Sequence, residues 1–508
     1  MSKISCRPNR EEIKEKRRNK KRQEHALRER QKAEGLVPRR PPALPNRCSP
    51  YETVEDEQQG REEAVAGHLR ILHRELPLLL QQLAKIPDPR SPNKSKHKLT
   101  MLLLYGLLMF VFHYSSRREV NREMTRPQFM KSLQMLFPEL DNLPHADTLF
   151  RLLRDMDVGY IEQAHIQLIR RLLRNKKFRR FLVNNCYPIA FDGSQKLSRD
   201  TLWDENLLER NVGKGENSHS QYYVYILEAS FSFRNGMVIP LLSEFLEYAK
   251  GDTDNNKQDC EQRAFHRLSA RIKQLFPKLS IMVLLDGLYA NGPVMARCHQ
   301  FNWQCMIVLK KGELSTAWEE YYGLKPLQPK NELNHSWGDR LQHFNWVNDI
   351  EYEYRENGKY KRLNLNIVIC DECWEQVDND GKVVPQAVRH AWISSRSLNR
   401  NNIHERCNLG ARFRWGIEAG FLVEKHQGYH YEHAFAYNWN AMKGYHYLMR
   451  MAHLFNTLAR FSHHLKELYR ELGVRGTIAF IRHSCAAPWL NPEHIQLYFS
   501  RPLQLRLE

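Results

Sequence analysis

Residues 221–248, QYYVYILEASFSFRNGMVIPLLSEFLEY, are where the period of the chain changes. Aromatic and β-branched residues crowd two runs separated by Arg234-Asn235-Gly236, and Asn-Gly between strand-like runs is a hairpin signal. Before them, Tyr187 to Phe191 (YPIAF) is a short apolar run ending in Asp192-Gly193-Ser194. After them a helix is expected over Lys257 to Phe276, then a strand at Leu279 to Leu285 (LSIMVLL) ending in Asp286-Gly287. A helix from about Gly292 and a strand at Trp303 to Leu309 (WQCMIVL) follow. The order of three strands, helix, strand, helix, strand predicts an antiparallel meander extended by parallel strands through helical crossovers. That is an α/β fold, a mixed sheet with helices on its faces. Ligand sites in such sheets lie beyond the carboxyl ends of strands, which makes Asp192 and Asp286 candidate site residues. One isolated Asp-Gly reads as the start of a turn, but two, each closing an apolar run in a sheet of this order, favour a site.

Upstream, residues 63–180 read as an all-helical module. Leu69, Leu72, Leu76, Leu79, Leu80 and Leu83 keep three-and-four spacing, as do Phe129, Leu133 and Leu136. Between them the run 99–112, LTMLLLYGLLMFVF, has 14 residues where a membrane span needs about 20, so a buried core helix is expected. In NLPHADTLFRLL (142–153), Asp147 or Thr148 is the expected cap of a further helix. Downstream, 310–404 alternates short apolar runs with charged turns, including Asn357-Gly358, and predicts a β-rich insertion. Helices are expected from Glu405 to about His426, from Trp439 to Tyr469 and from Val474 to Arg482, with 456–508 a carboxy-terminal helical segment.

The 508 residues suggest about three domains, and 42% hydrophobic with 27% charged residues exclude a disordered or fibrous chain. The formal charge of +19 and pI near 9.4 point to a polyanionic partner, because cationic surfaces bind phosphate by releasing its counterions. Residues 1–50 hold 16 Lys and Arg against 6 Glu, a net +10. With Pro38, Pro41, Pro42 and Pro45 behind them, residues 1–62 read as a disordered or transiently helical basic arm with a stiff linker. Ten scattered cysteines suggest a reducing compartment. No apolar segment follows the amino-terminal charges, so neither a secretory signal nor a membrane association is expected.

The helix after the insertion carries Arg414, Glu418 and Lys425, which at 100° per residue fall within about 60° of one another. By itself this stripe of cation, carboxylate, cation reads equally as a surface salt-bridge ladder. Together with Asp192 and Asp286 it resembles the DDE transposases of bacterial insertion sequences. Their Y-x2-R-x3-E-x6-K signature is met by Arg414, Glu418 and Lys425, while Ala411 stands where the family has Tyr. The resemblance covers roughly 180–455. More loosely, the helical region with DPR and HADTLFRLL is similar to the accessory domain of related transposases.

The resemblance implies a ribonuclease-H-like catalytic core in two parts, 181–309 and 405–455. Asp192, Asp286 and Glu418 would be the catalytic and metal-holding residues for two Mg²⁺ ions, for which Mn²⁺ can substitute. Hard oxygen ligands suit those ions. The implied activity is metal-dependent cleavage at transposon ends followed by 3′-hydroxyl strand transfer into target DNA. The implied partners are double-stranded DNA and a second copy of the chain on DNA, in a bacterial, nucleoid-associated cytoplasmic setting. Arg414 and Lys425 would reach flanking phosphates, and Trp337 and Trp346 of the insertion, amid Tyr352, Tyr354, Arg355, Lys359 and Arg362, would help hold the DNA end. A metal-dependent nuclease on the same fold and a non-catalytic domesticated DNA-binding protein remain open. Weaker signals are a lone Cys370-x-x-Cys373, for which zinc is disfavoured, and His426, His430 and His433, expected to be satisfied or DNA-facing. Glu228 and Glu244, close to Asp192, are either supports behind the site or, by default, edge or exposed-face residues.

Overall fold

The computed structural model describes residues 9–37, 44–140, 142–213, 215, 218–247 and 260–508. Pro38, Pro41 and Pro42, Tyr248 and residues 257–259 of the expected crossover helix lie outside them. In chain order come α1 (Arg10–Ala33), α2 (Val54–Leu83), α3 (Leu99–Val111), α4 (Arg117–Met124), α5 (Pro127–Leu136), α6 (Ala146–Asp155) and α7 (Gly159–Arg174). Then follow β1 (Tyr187–Arg199), β2 (Leu208–Val212), β3 (His219–Ser232), β4 (Val238–Phe245), α8 (Glu261–Leu275), β5 (Ile281–Leu285), α9 (Gly292–Gln300) and β6 (Gln304–Val308). After α10 (Ser315–Leu324) come β7 (Glu332–Trp337), β8 (Arg340–Glu356), β9 (Lys359–Val377) and β10 (Val383–Ser394). The chain ends with α11 (Gly416–His426), α12 (Trp439–Arg460), α13 (Lys466–Ala486) and α14 (Pro492–Ser500).

The chain divides into two compact units, residues 1–46 with 285–411, and residues 47–284 with 412–508. These differ from the expected boundaries. The helical stretch 63–180 shares a compact unit with β1 to β4 and the carboxy-terminal helices, because α12 packs against α2, α3, α6, α7 and β4. A helix buried on every side must be close to its neighbours, and 19 of the 22 residues of α12 are buried. Two glycines permit the approach. A Cβ on Gly106 of α3 would meet Leu149 and Leu448, and one on Gly444 of α12 would meet Leu153 and Val158.

In this larger unit the expected meander is present. β3 pairs antiparallel with β1 on one side and with β4 on the other, through a turn in which Gly236 takes φ +82°. β5 runs parallel to β1, from Tyr187↔Ile281 to Ala190↔Leu284. The run 99–112 is a buried core helix as expected, and among the described residues no helix is long and apolar enough to cross a membrane. The cap of α6 is His145, which accepts from the Asp147 amide, rather than Asp147 or Thr148. The expected helix 439–469 breaks after Arg460, and α13 kinks at Gly473 with φ +69°.

In the smaller unit β6, β10, β9, β8 and β7 lie side by side, all antiparallel among the registers from β6 to β7. The β8–β9 ribbon turns at Asn357-Gly358, both at positive φ. The amino-terminal segment is not disordered where it is described. Asn9 caps α1 in a capping box with Glu12, and Leu27 and Gln31 are buried while α1 lies along β9. Lys16 meets Asp380 at 2.9 Å and Arg30 pairs with Glu375, which leaves Lys14, Arg17, Arg18, Lys21 and Arg22 exposed.

Burial of ionisable rings makes the larger unit acid-sensitive. His68 of α2 bonds Asn456 at 3.0 Å and His165 of α7 bonds the Pro240 carbonyl at 2.9 Å. Burial lowers each from the usual 6.5 to about 4. The unfolded chain takes up these protons near pH 6.5, so stability present above that pH is lost as pH falls toward 4. At pH 5 the loss is about 2 kcal/mol per ring. The urea midpoint should therefore drop between pH 7 and pH 5 with an unchanged slope. Equal midpoints would refute neutral buried rings.

Candidate active site

Asp192 lies in β1, opposite Glu228 of β3 and two residues beyond Ala190, where the parallel register with β5 ends. The sequence predicts that it closes the strand, but β1 continues past it to Arg199. Gly193 is therefore no turn residue. A Cβ there would collide with the Tyr225 ring and the Glu261 carboxyl group, so glycine serves close approach. Asp286 follows Leu285 directly and stands two residues beyond Leu284, the last register partner on β5. It caps a 3₁₀ turn, Gly287–Tyr289, and its Oδ1 accepts from the Leu288 amide at 3.0 Å. Here the turn-starting role of Asp-Gly is met.

Glu418 stands in the first turn of α11. The expected continuous helix from Glu405 is instead a π turn (Glu405–Gly410) and a 3₁₀ stretch (Ala411–Trp415) before α11 begins. Two glycines bring α11 against the sheet, since a Cβ on Gly416 would meet Ser232 and one on Gly420 would meet Val238 at 3.1 Å. Ser232 also hydrogen-bonds the Phe413 carbonyl.

The guanidinium of Arg414 lies between two carboxylates. Its Nη2 is 2.9 Å from Glu418 Oε1 and its Nη1 3.9 Å from Asp192 Oδ2. The Arg414 side chain is 6% exposed, against 22% for Asp192 and 37% for Glu418, so this is no surface ladder. Its Nε is buried with no hydrogen-bond partner among the described residues. The stripe is thus partly met, since Lys425 pairs instead with Glu432 at 3.2 Å beside the Tyr431 ring. Asp192 and Glu418 converge on one cation, and their hard oxygens suit a divalent ion. As they stand, Arg414 holds that cationic position, and among the described residues no three His, Cys, Asp or Glu side chains gather closely enough to hold a metal ion.

Other candidates fall elsewhere. Trp346 is 2% exposed and packs inside the insertion rather than on a base-stacking surface, whereas Trp337 is half-buried at the end of β7. Tyr354 is buried against Gly292, while Tyr360, at the ribbon tip, is 72% exposed. Cys370 is buried and Cys373 exposed, as three-residue spacing on a strand requires, so they share no ion. His426 ends α11, and His430 and His433 follow it outside any helix, where burial lowers the pKa of the latter two. Glu244 is largely buried and pairs with Arg267 and Arg271. Glu228, expected on an edge or exposed face, is fully buried, ion-paired with Arg450 and 3.0 Å from the His446 imidazole. Sequence reasoning missed Lys196, whose Nζ is buried against the Tyr431 carbonyl at 2.7 Å and whose pKa burial lowers to about 8. Its only signal was a Lys on the strand of Asp192.

Residues 80–169, which run from the end of α2 through most of α7, match the family model described as DDE_Tnp_1-associated. That segment is a DDE_Tnp_1-associated domain. Such domains are found in DDE-type transposases, and the match supports a DDE transposase family. No curated protein matches the chain. The matched segment supplies α3, whose Gly106 lets Leu448 of α12 approach.

Proposed function

We propose that the chain is a DNA transposase that cleaves transposon ends and joins their 3′-hydroxyls to target DNA. One observation carries this reading. A transposase-associated domain shares the chain with a parallel β1–β5 pair in which an Asp stands two residues past the last register partner on each side, Asp192 within β1 and Asp286 just after β5. On this reading the meander and β5 form a ribonuclease-H-like core, and Asp192, Asp286 and Glu418 hold two Mg²⁺ or Mn²⁺ ions. Bound there, such ions supply activation of the attacking oxygen and stabilisation of the leaving one. The chain's own part is to fix carboxylates and orient phosphate. Arg414 can turn its fork from the carboxylates to a phosphate beside the scissile bond, and its unmet Nε donor is one that a phosphate oxygen would satisfy. Lys425 would contribute a point charge to the next phosphate. Duplex DNA and a second copy of the chain on it are the proposed partners, in a bacterial nucleoid-associated setting. Incubating the protein with a labelled 3′-hydroxyl DNA end, plasmid and Mg²⁺ tests the reading. Joined product supports it, hydrolysis alone makes the chain a nuclease, and binding alone makes it a non-catalytic DNA-binding protein.

The exposed cations of α1 should provide sequence-independent phosphate contacts. Because α1 packs on β9, deleting it would disturb its unit, so changing Lys14, Arg17, Arg18, Lys21 and Arg22 to Gln is the cleaner test. The slope of log K against log salt should fall by up to about 4, roughly equally for all duplexes. A loss confined to one DNA sequence would show that α1 reads bases.

A further inference from the structure

Glu418 sits at the start of a short helix that is entered through irregular backbone, so something beyond its own helical hydrogen bonds must fix where it stands. Six residues on, about 9 Å along the axis, Glu424 is fully buried. Its Oε1 accepts from Arg450 Nη1 at 2.8 Å and contacts His453 Nδ1 at 2.6 Å. The other arm of the same guanidinium, Nη2, reaches Ser230 Oγ at 3.1 Å and Glu228 Oε2 at 3.2 Å. Glu228 is the cross-strand partner of Asp192, and it is further held by Ser243 Oγ at 2.6 Å and His446 Nε2 at 3.0 Å. One fork from α12 therefore binds the helix of Glu418 to the residue opposite Asp192. Burial raises carboxyl pKa values, yet Arg450 with His453 outweighs it and lowers Glu424 to about 2, and Arg450 with His446 lowers Glu228, so both stay ionised.

An apolar core would serve stability as well as a buried ion cluster, since desolvation offsets most of the Coulombic gain. What the fork adds is direction, two parallel sets of hydrogen bonds that fix helix against strand. We propose that Arg450 is a positioning residue, which through Glu424 and Glu228 sets the position of Glu418 relative to Asp192. This rests on the transposase reading above. A Lys in its place keeps the charge but cannot bridge both carboxylates.

The test uses the full chain, with Arg450→Lys and with the apolar triple variant Glu228→Leu/Glu424→Leu/Arg450→Met. Three quantities are measured: Mn²⁺ affinity by electron paramagnetic resonance, nicking kcat and KM on a duplex end, and the urea midpoint. For Arg450→Lys we expect kcat to fall about a hundredfold, as small misplacements do, with KM within twofold and Mn²⁺ bound at least tenfold more weakly. The triple variant should show the same losses with a urea midpoint near that of the wild type. Wild-type kcat and Mn²⁺ affinity in Arg450→Lys would overturn the proposal, as would their retention in the triple variant, because the cluster would then be packing alone. Wild-type protein that binds no Mn²⁺ and cuts no DNA would instead remove the transposase reading, and the proposal with it.

Discussion

Asp192→Asn, Asp286→Asn and Glu418→Gln should each abolish metal-dependent strand cleavage while leaving duplex binding within a few-fold. Each change keeps the size of the side chain but removes its negative charge, and on the proposed reading a site that lost one of its three carboxylates would no longer hold its ions. Binding is expected to survive because, on the proposed reading, phosphate contacts would come from cations rather than from these carboxylates. Asp286 provides the sharpest contrast. Its Oδ1 caps the 3₁₀ turn at Gly287–Tyr289, and an Asn can accept the same Leu288 hydrogen bond. Asp286→Asn should thus fold normally and still fail to cut. Cleavage of a labelled transposon end in Mg²⁺, beside a gel-shift titration, checks all three. A variant that still cuts removes its residue from the site.

The second large effect is expected at Arg414. Its guanidinium is buried between Asp192 and Glu418, so Arg414→Ala leaves two converging carboxylates without their shared cation and, on the proposed reading, the DNA end without a fork. Arg414→Lys should be nearly as damaging, because a single ammonium cannot replace two directed donors. Joining should slow by about a hundredfold and the first nick by less, since joining must align an extra DNA strand. Lys425→Ala should show the same bias more weakly, its charge being already engaged by Glu432. Nicking and joining rates measured separately decide the matter. Wild-type rates for both would mean that the Arg414–Glu418 pair only ties the 3₁₀ stretch to α11.

Much of the fold was legible from residue order alone. Apolar runs of strand length, Asn-Gly turns and a 13-residue buried helix announce themselves locally, because hydrophobic period and turn chemistry act over a few neighbours. The Arg414–Glu418 contact was similarly readable from a four-residue spacing, even though Arg414 precedes the helix. The end of a strand was not. YPIAFDGS looks as if it stops at Asp192-Gly193, but β3 offers an antiparallel partner as far as Arg199, with one register shift between Gln195 and Leu197, and cross-strand pairing overrides the turn preference of Gly.

By itself the sequence determined the succession of helices and strands, the two aspartates following strand-forming runs, and the excess of positive charge. Tertiary structure alone decided that the helical stretch would merge with the meander around α12, that the basic arm would fold along β9, and that Trp346 would be interior. It also decided the fate of Glu228, which no local pattern marks as buried. A carboxylate enters a core only where distant residues supply compensating charge and hydrogen bonds, and here these are Arg450, His446 and Ser243, from 15 to 222 positions away in the chain. Such compensation depends on positions in space that sequence spacing does not encode.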